Sequence, residues 1–173
     1  MNDYDIKFMK TALEEAAKSG NDENELSLHR LAKQAVSASA PAAQDVPVGA
    51  VLVYNNEIIT KAHNCKELEN DATSHAEIIV IKEASKKIKN WRLNNTVLYV
   101  TLEPCPMCAA AILYSRIPKI VFGAYDPLYG AFGSTMDMRD LIKFNPEIIG
   151  GILEEDCSKI LKTFFRNKRN IKE

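Results

Sequence analysis

The chain has 173 residues, of which 46% are hydrophobic and 26% charged, with a formal net charge of −1. This suits one globular domain and excludes a wholly disordered chain, a collagen-like chain and a coiled-coil rod. The longest unbroken apolar run, Met107 to Tyr114, has eight residues, against about 20 for a membrane-spanning helix, so no membrane span is expected. The acidic opening Met1-Asn2-Asp3-Tyr4-Asp5 lacks the basic-then-apolar order of a signal peptide, and a cytoplasmic protein is the default expectation. Charge is unevenly spread: residues 1–26 hold seven acids against three lysines, and residues 159–173 hold six basic residues against Glu173 alone. That basic end can meet phosphates or can simply solvate a last helix.

Helical spacing of Ile6, Met9, Ala12, Leu13, Ala16 and Ala17 predicts a helix from Asp5 to Lys18, stopped by Ser19-Gly20. Glu25 to Val36 can form a second short helix, with Leu28, Leu31, Ala32 and Ala35 on one side. Ser37 to Ala43 is small and poor in large apolar groups, and reads as a flexible connection. A β-hairpin is predicted next: Val48 to Tyr54 outward, Asn55-Asn56 as a primed turn, Glu57 to His63 returning. Thr73 or Ser74 can cap a helix running to about Ile88. Thr96 to Thr101 reads as a buried strand, Pro106 to Ser115 as a helix with proline in its first turn, and Lys119 to Gly123 as another strand. Asp126 to Ser134 reads as a loop, Ile148 to Leu153 as a last strand and Cys157 to Lys168 as a final helix. Strands alternating with helices imply an α/β sheet with parallel pairs after the hairpin.

Four cysteines are present: Cys65, Cys105, Cys108 and Cys157. In a cytosolic protein the close pair Cys105 and Cys108 points to metal or redox chemistry more than to a structural disulfide. His75 opens one predicted helix, and the cysteine pair opens another thirty residues later. Both helices follow a strand, so both starts can meet at one sheet edge, where open α/β sheets bind ligands. Helix N-termini favour thiolate over thiol. One imidazole and two thiolates suit zinc, leaving a fourth position for water. Glu77, two residues after His75, is close enough to exchange a proton with that water. On the residues alone two other readings stay open. The cysteines can be buried apolar residues, or Cys65 or Cys157 can close a purely structural zinc site.

His75-Ala76-Glu77 followed by Pro104-Cys105-Pro106-Met107-Cys108 resembles the signature of the zinc-dependent nucleoside and nucleobase deaminases. The likeness is narrower still. Asp45 to Val53, Ser74 to Ile78, Trp91-Arg92-Leu93 and Leu98 to Cys105 are similar to segments of the bacterial tRNA-specific adenosine deaminases. So are Ser115-Arg116-Ile117, Phe122-Gly123-Ala124, Gly130 to Ser134 and Phe164 to Arg169. The resemblance implies a cytidine-deaminase-like fold, a three-layer α/β/α sandwich around a central five-stranded mixed sheet, with residues 1–173 one deaminase domain. It also implies a homodimer whose partner chain helps build each active site, and hydrolytic deamination of adenosine to inosine at the wobble position of a tRNA anticodon. Carried over residue by residue, His75, Cys105 and Cys108 would hold one Zn²⁺ per chain and Glu77 would shuttle protons. Asn64, Val48, Ala76, Asp126, Phe165, Arg166 and Arg169 would meet the substrate, an anticodon stem-loop.

Two features depart from that pattern. Leu128 stands where the family commonly has a lysine, with Tyr129 beside it able to stack on a splayed base. The stretch 21–44 is longer than the family's usual connection and reads as a solvated insertion. Two other functions compete with the RNA reading. One is a deaminase of a free nucleobase or nucleoside (guanine or cytidine), against which the basic Phe164–Arg169 tail argues. The other is a non-catalytic module with a structural zinc, which would have no need of Glu77.

Overall fold

The computed structural model describes residues 3–19 and 44–170. Its elements are α1 (Asp3–Ala16), β1 (Gly49–Tyr54), β2 (Glu57–His63), α2 (Lys66–Glu69) and α3 (Ala76–Ile88), then β3 (Thr96–Leu102), α4 (Pro106–Tyr114), β4 (Lys119–Ala124), β5 (Glu147–Ile149) and α5 (Glu154–Asn170). A 3-10 turn lies at Met138–Asp140. The expected helix at 25–36 and the connection after it lie outside the described residues. None of the described helices is long and apolar enough to cross a membrane.

The hairpin forms where the two asparagines place it. Asn55 (φ 50°) and Asn56 (φ 63°) are both left-handed, a conformation that a primed turn demands and that asparagine tolerates. β1 pairs antiparallel with β2 and with β3, while β3–β4 and β4–β5 are parallel. The resulting five-stranded sheet runs β2-β1-β3-β4-β5, the mixed sheet expected.

Strand alternation builds a core on each face. Ala50, Leu52, Leu98, Val100, Ile120 and Phe122 point to one side, where Val80, Ile81 and Ala84 of α3 and Ala109, Ile112 and Leu113 of α4 cover them. Val51, Val53, Tyr99 and Val121 point to the other, against Phe8, Met9 and Ala12 of α1 and Cys157 of α5. The three layers follow directly. α1 lies so close to the sheet that a Cβ on Gly49 would sit 2.0 Å from the Ala12 carbonyl oxygen. The helix also buries Glu15, whose carboxylate meets Lys18 at 2.7 Å and Lys61 at 2.9 Å.

The register brings several chain ends to one edge. Gly49 at the start of β1 faces His63 at the end of β2, and Leu102 at the end of β3 pairs with Ala124 at the end of β4. The segments leaving β2, β3 and β4 therefore all emerge at the same side of the sheet.

Most boundaries fall within two residues of the sequence reading, and the larger differences lie at β5, α5 and α2. The last strand stops at Ile149 instead of running to Leu153, because the chain bends through Gly150 and Gly151 (φ 83°). A Cβ on Gly150 would lie 2.5 Å from the Phe122 ring, so that bend is packed against β4. The final helix begins at Glu154, ahead of the expected Cys157. α2 was not foreseen; the buried Asp45 carboxylate caps it, accepting from the backbone N–H of Glu67 (2.9 Å) and Leu68 (3.2 Å).

Candidate active site

α3 begins one residue later than a Ser74 cap would set it and two later than a Thr73 cap would, because both hydroxyls are engaged elsewhere. Thr73 donates to Asp71 at 2.7 Å, and Ser74 donates to Asp71 and to the Glu69 carboxylate. His75 is the N-cap residue, with extended backbone (φ −78°, ψ 149°) and no cap bond from its own side chain. Asn64 supplies that bond instead: its Oδ1 accepts from the Ala76 N–H at 2.9 Å. Capping from Asn64 leaves the His75 ring free to turn toward α4. There Cys105 is the N-cap, also extended (φ −70°, ψ 169°), with Pro106 in the first helical turn where a missing N–H costs nothing.

His75 Nδ1 lies 3.5 Å from Cys108 Sγ and 3.8 Å from Cys105 Sγ, and the three donor atoms all fall within 4.8 Å of one another. Tetrahedral zinc, with bonds of about 2.0–2.3 Å, holds its donors roughly 3.5–3.8 Å apart, so the residues fit the ion. Electrostatics agree. The hydrogen bond from Cys108, joined by one to His75, holds the Cys105 thiol down to about 4. The Cys108 thiol is raised by that same bond and by burial. His75 is raised by its bond to Cys105.

Glu77 follows in the first turn of α3, 4% exposed. Its Oε2 has no hydrogen-bond partner among the described residues. Burial raises its pKa, with the Cys105 charge adding to the effect. A buried carboxylate with an unsatisfied oxygen is costly unless something else meets it. His75, Glu77 and Cys105 line a cavity of about 600 Å³, which is where that partner can enter.

Val48, Asn64, Asp126 and Phe165 line the same cavity. Ala76 is fully buried beneath it. Arg166 and Arg169 are exposed on α5 and do not line it; the α5 cations that do are Lys162 and Lys168. The Asn64 side chain is committed on both ends, since its Nδ2 also donates to the Val46 carbonyl at 3.1 Å. The Asp126 Oδ1 accepts from Leu128 and Tyr129 N–H, at 2.9 and 3.1 Å, and so shapes its own loop. Cys65 donates to the His63 carbonyl, and Cys157 is buried against β4 at Gly123. Among the described residues, neither belongs to the group of donors that could hold a metal ion.

Residues 23–169 match the MafB19-like deaminase family. The chain is 46% identical to the tRNA-specific adenosine deaminase of Bacillus subtilis (strain 168), over 87% of this chain and 94% of that protein. The chain belongs to the tRNA-specific adenosine deaminase family. A solved structure from biochemical and structural studies of A-to-I editing by tRNA:A34 deaminases at the wobble position superposes with a TM-score of 0.69. It is 36% identical and covers 90% of this chain and 99% of its own. Guanine deaminase from Bacillus subtilis is more distant, with a TM-score of 0.53 and 29% identity over 72% of this chain and 66% of that one.

Sequence reasoning about this family member places Lys162 and Lys168 with Arg166 and Arg169 among the cations for RNA phosphates, and assigns no role to Glu103. Glu103 is 2% exposed, and its carboxylate accepts from the N–H groups of Asp126, Phe132 and Ser134 at 3.2, 3.0 and 3.2 Å and from the Ser134 hydroxyl. An acid between a β-branched strand and a Pro-Cys pair was the available signal. Its donors come 23 to 31 residues later, beyond any local pattern.

Proposed function

We propose that this chain hydrolytically deaminates adenosine to inosine at the wobble position of a tRNA anticodon. The observation that carries the reading is the juxtaposition at the cavity floor. Three soft donors for one cation meet there beside a buried carboxylate with an unsatisfied oxygen, under a rim of exposed aromatic and basic side chains. Zinc held by His75, Cys105 and Cys108, one ion per chain, would supply Lewis acidity and lower the pKa of water.

The chain's own residues supply the rest. Glu77 Oε2 is positioned to take a proton from attacking water and pass it to the purine ring nitrogen, and then to move the new hydroxyl's proton to the exocyclic amine, so that the C–N bond breaks, ammonia leaves and a carbonyl remains. A structural metal site would give such a carboxylate nothing to do. Val48 and the Asn64 shell wall the floor, so a base entering it sheds water. A stacked base cannot reach that floor, whereas an anticodon loop already presents unstacked ones. At the rim, Tyr129 (66% exposed) and Phe165 (47% exposed) offer faces for neighbouring bases, and Lys162 and Lys168 offer charge for phosphates. Asp126, Arg166 and Arg169 belong to the same proposed RNA surface.

Residues 1–173 as one deaminase domain, with 21–44 as an insertion, and a cytoplasmic place of action are part of this reading. So is a homodimer; exposed Trp91 and Tyr114, which line one surface cavity with Ile81, support it. The decisive measurement is ammonia release and inosine formation with an anticodon stem-loop beside free adenosine, guanine and cytidine. Turnover is expected on the hairpin alone. Equal turnover on free adenosine, or turnover only on guanine, would overturn the RNA reading.

A further inference from the structure

Glu103 lies between Leu102, the last residue of β3, and Pro104-Cys105, the turn that delivers a metal ligand. Every donor found for its carboxylate belongs to the loop from Asp126 to Ser134. The backbone repeats the attachment: Glu103 N–H donates to the Ala124 carbonyl at 2.8 Å, and Ala131 N–H donates to the Pro104 carbonyl at 3.0 Å. Gly130 passes directly over the carboxylate, where a Cβ would sit 2.4 Å from Glu103 Oε2 and 2.5 Å from the Asp126 carbonyl oxygen. Only a residue without a side chain lets the loop come so near.

An acid buried without partners would be expensive, and among the described residues this loop satisfies it. The loop's outer residues are the cavity rim. Asp126, Pro127, Leu128 and Tyr129 line the cavity, with Leu128 71% and Tyr129 66% exposed. The acid therefore joins the turn that carries Cys105 to the segment that would grip RNA. Strand β3 and its turn are held by the sheet, whereas the loop between β4 and β5 has little regular structure of its own.

We propose that Glu103 is a positioning residue for the deamination: it fixes the Asp126–Ser134 rim at a set distance from the metal-ligating turn, so that a nucleotide gripped at the rim reaches the floor. This rests on the reading of the chain as an RNA-acting deaminase. Misplacing a substrate-positioning group by an ångström costs up to about 100-fold in rate or specificity, and the loss here falls on substrate engagement.

The test compares the full-length wild type with Glu103→Ala, Glu103→Gln and Gly130→Ala, measuring metal content, hairpin kinetics and amide exchange. Glu103→Ala is expected to raise KM for the stem-loop about tenfold while kcat stays within about threefold and metal content is unchanged. Amide exchange at Asp126, Phe132 and Ser134 should accelerate, because those N–H groups lose their acceptor. Glu103→Gln keeps an acceptor at Oε1 and should fall between wild type and alanine. Gly130→Ala, which pushes the loop off the carboxylate, should reproduce the KM effect with the acid still present, and serves if Glu103→Ala does not fold. An unchanged KM in both Glu103→Ala and Gly130→Ala would overturn the proposal. So would loss of metal and kcat with KM intact, which would make Glu103 a support for Cys105 only. A wild-type protein inactive on the hairpin would sink the RNA reading, while the exchange data would still decide whether Glu103 holds the loop.

Discussion

The floor and the rim of the cavity are built on different physics. At the floor, His75 and Cys105 cap two helices, Cys108 and Glu77 sit in first turns, and the helices are packed on the sheet. Each side chain there has one place to be; the bond between the two sulfurs moves their pKa values in opposite directions, and burial raises that of Glu77. At the rim, Leu128, Tyr129 and Phe165 are exposed, and the lysines of α5 extend into solvent. Chemistry needs fixed distances and low dielectric, so it occupies helix starts on a rigid sheet. Recognition of a large, polyanionic partner needs accessible faces and charges, so it occupies loop and helix surfaces. The difference teaches that changes at the floor should act on turnover, and changes at the rim on binding.

The sharpest way to break that contrast is at the floor. Glu77→Gln should keep the fold and the metal yet lose about 10²- to 10⁴-fold in kcat, with hairpin affinity intact. His75→Ala should lose both metal and turnover, measured by metal analysis beside kinetics. A Glu77→Gln protein near wild-type rate would remove the carboxylate from the mechanism.

At the rim, Phe165→Ala should weaken hairpin binding by about 1–3 kcal/mol, the worth of a base stacked on an aromatic ring, without changing metal content. Binding titrations check this, and a fall in kcat with unchanged Kd would contradict the division. Replacing Arg166 and Arg169 with alanine should flatten the salt dependence of binding by about 0.7–0.9 in slope per lost phosphate contact. The pair Lys162 and Lys168 offers a direct comparison, since it lines the cavity and the arginines do not. If only the lysine pair alters the slope, the phosphate path runs along the cavity side of α5.

The smallest effect lies outside both regions, at Glu15 on the buried side of α1. Burial works against its charge, but hydrogen bonds from Lys18 and Lys61 prevail and hold its carboxyl below the usual 4.5. A depressed folded-state pKa stabilises fully above the unfolded value and is lost as pH falls through the folded one. Glu15→Gln should therefore lower stability at neutral pH and flatten the acid limb of the stability curve below about pH 4.5. Thermal melts from pH 3 to 7 would show it, and an acid limb as steep as wild type would assign the loss to other carboxylates.

Cys65→Ser and Cys157→Ser mark the zero of the scale. Both should retain metal, since neither residue belongs to the ligating group. Metal loss in either would mean a closed, structural site.

What the sequence by itself determined are the features encoded within a few residues. The Asn55-Asn56 turn set the hairpin and the pairing beside it, Tyr54 with Glu57 and Val53 with Ile58, up to a bulge between Leu52 and Val53. His75-Ala76-Glu77 and Cys105-Pro106-Met107-Cys108 were readable as donors at helix starts because a cap and a first turn are local objects. The apolar run of β3 read as a buried strand, and the sheet is covered on both faces there. Only the tertiary structure decided the links across long separations. Asp45 caps a helix 22 residues away, Asn64 rather than Thr73 or Ser74 satisfies the start of α3, and Glu103 gathers a loop that begins 23 residues later. The early end of β5 depends on Gly150 packing against the Phe122 ring, and the choice of lysines over arginines at the cavity depends on how α5 is rotated upon the sheet. The reason is physical: a turn or a cap is settled by the dihedral preferences of adjacent residues, whereas a buried carboxylate finds its donors only once burial has removed water from it.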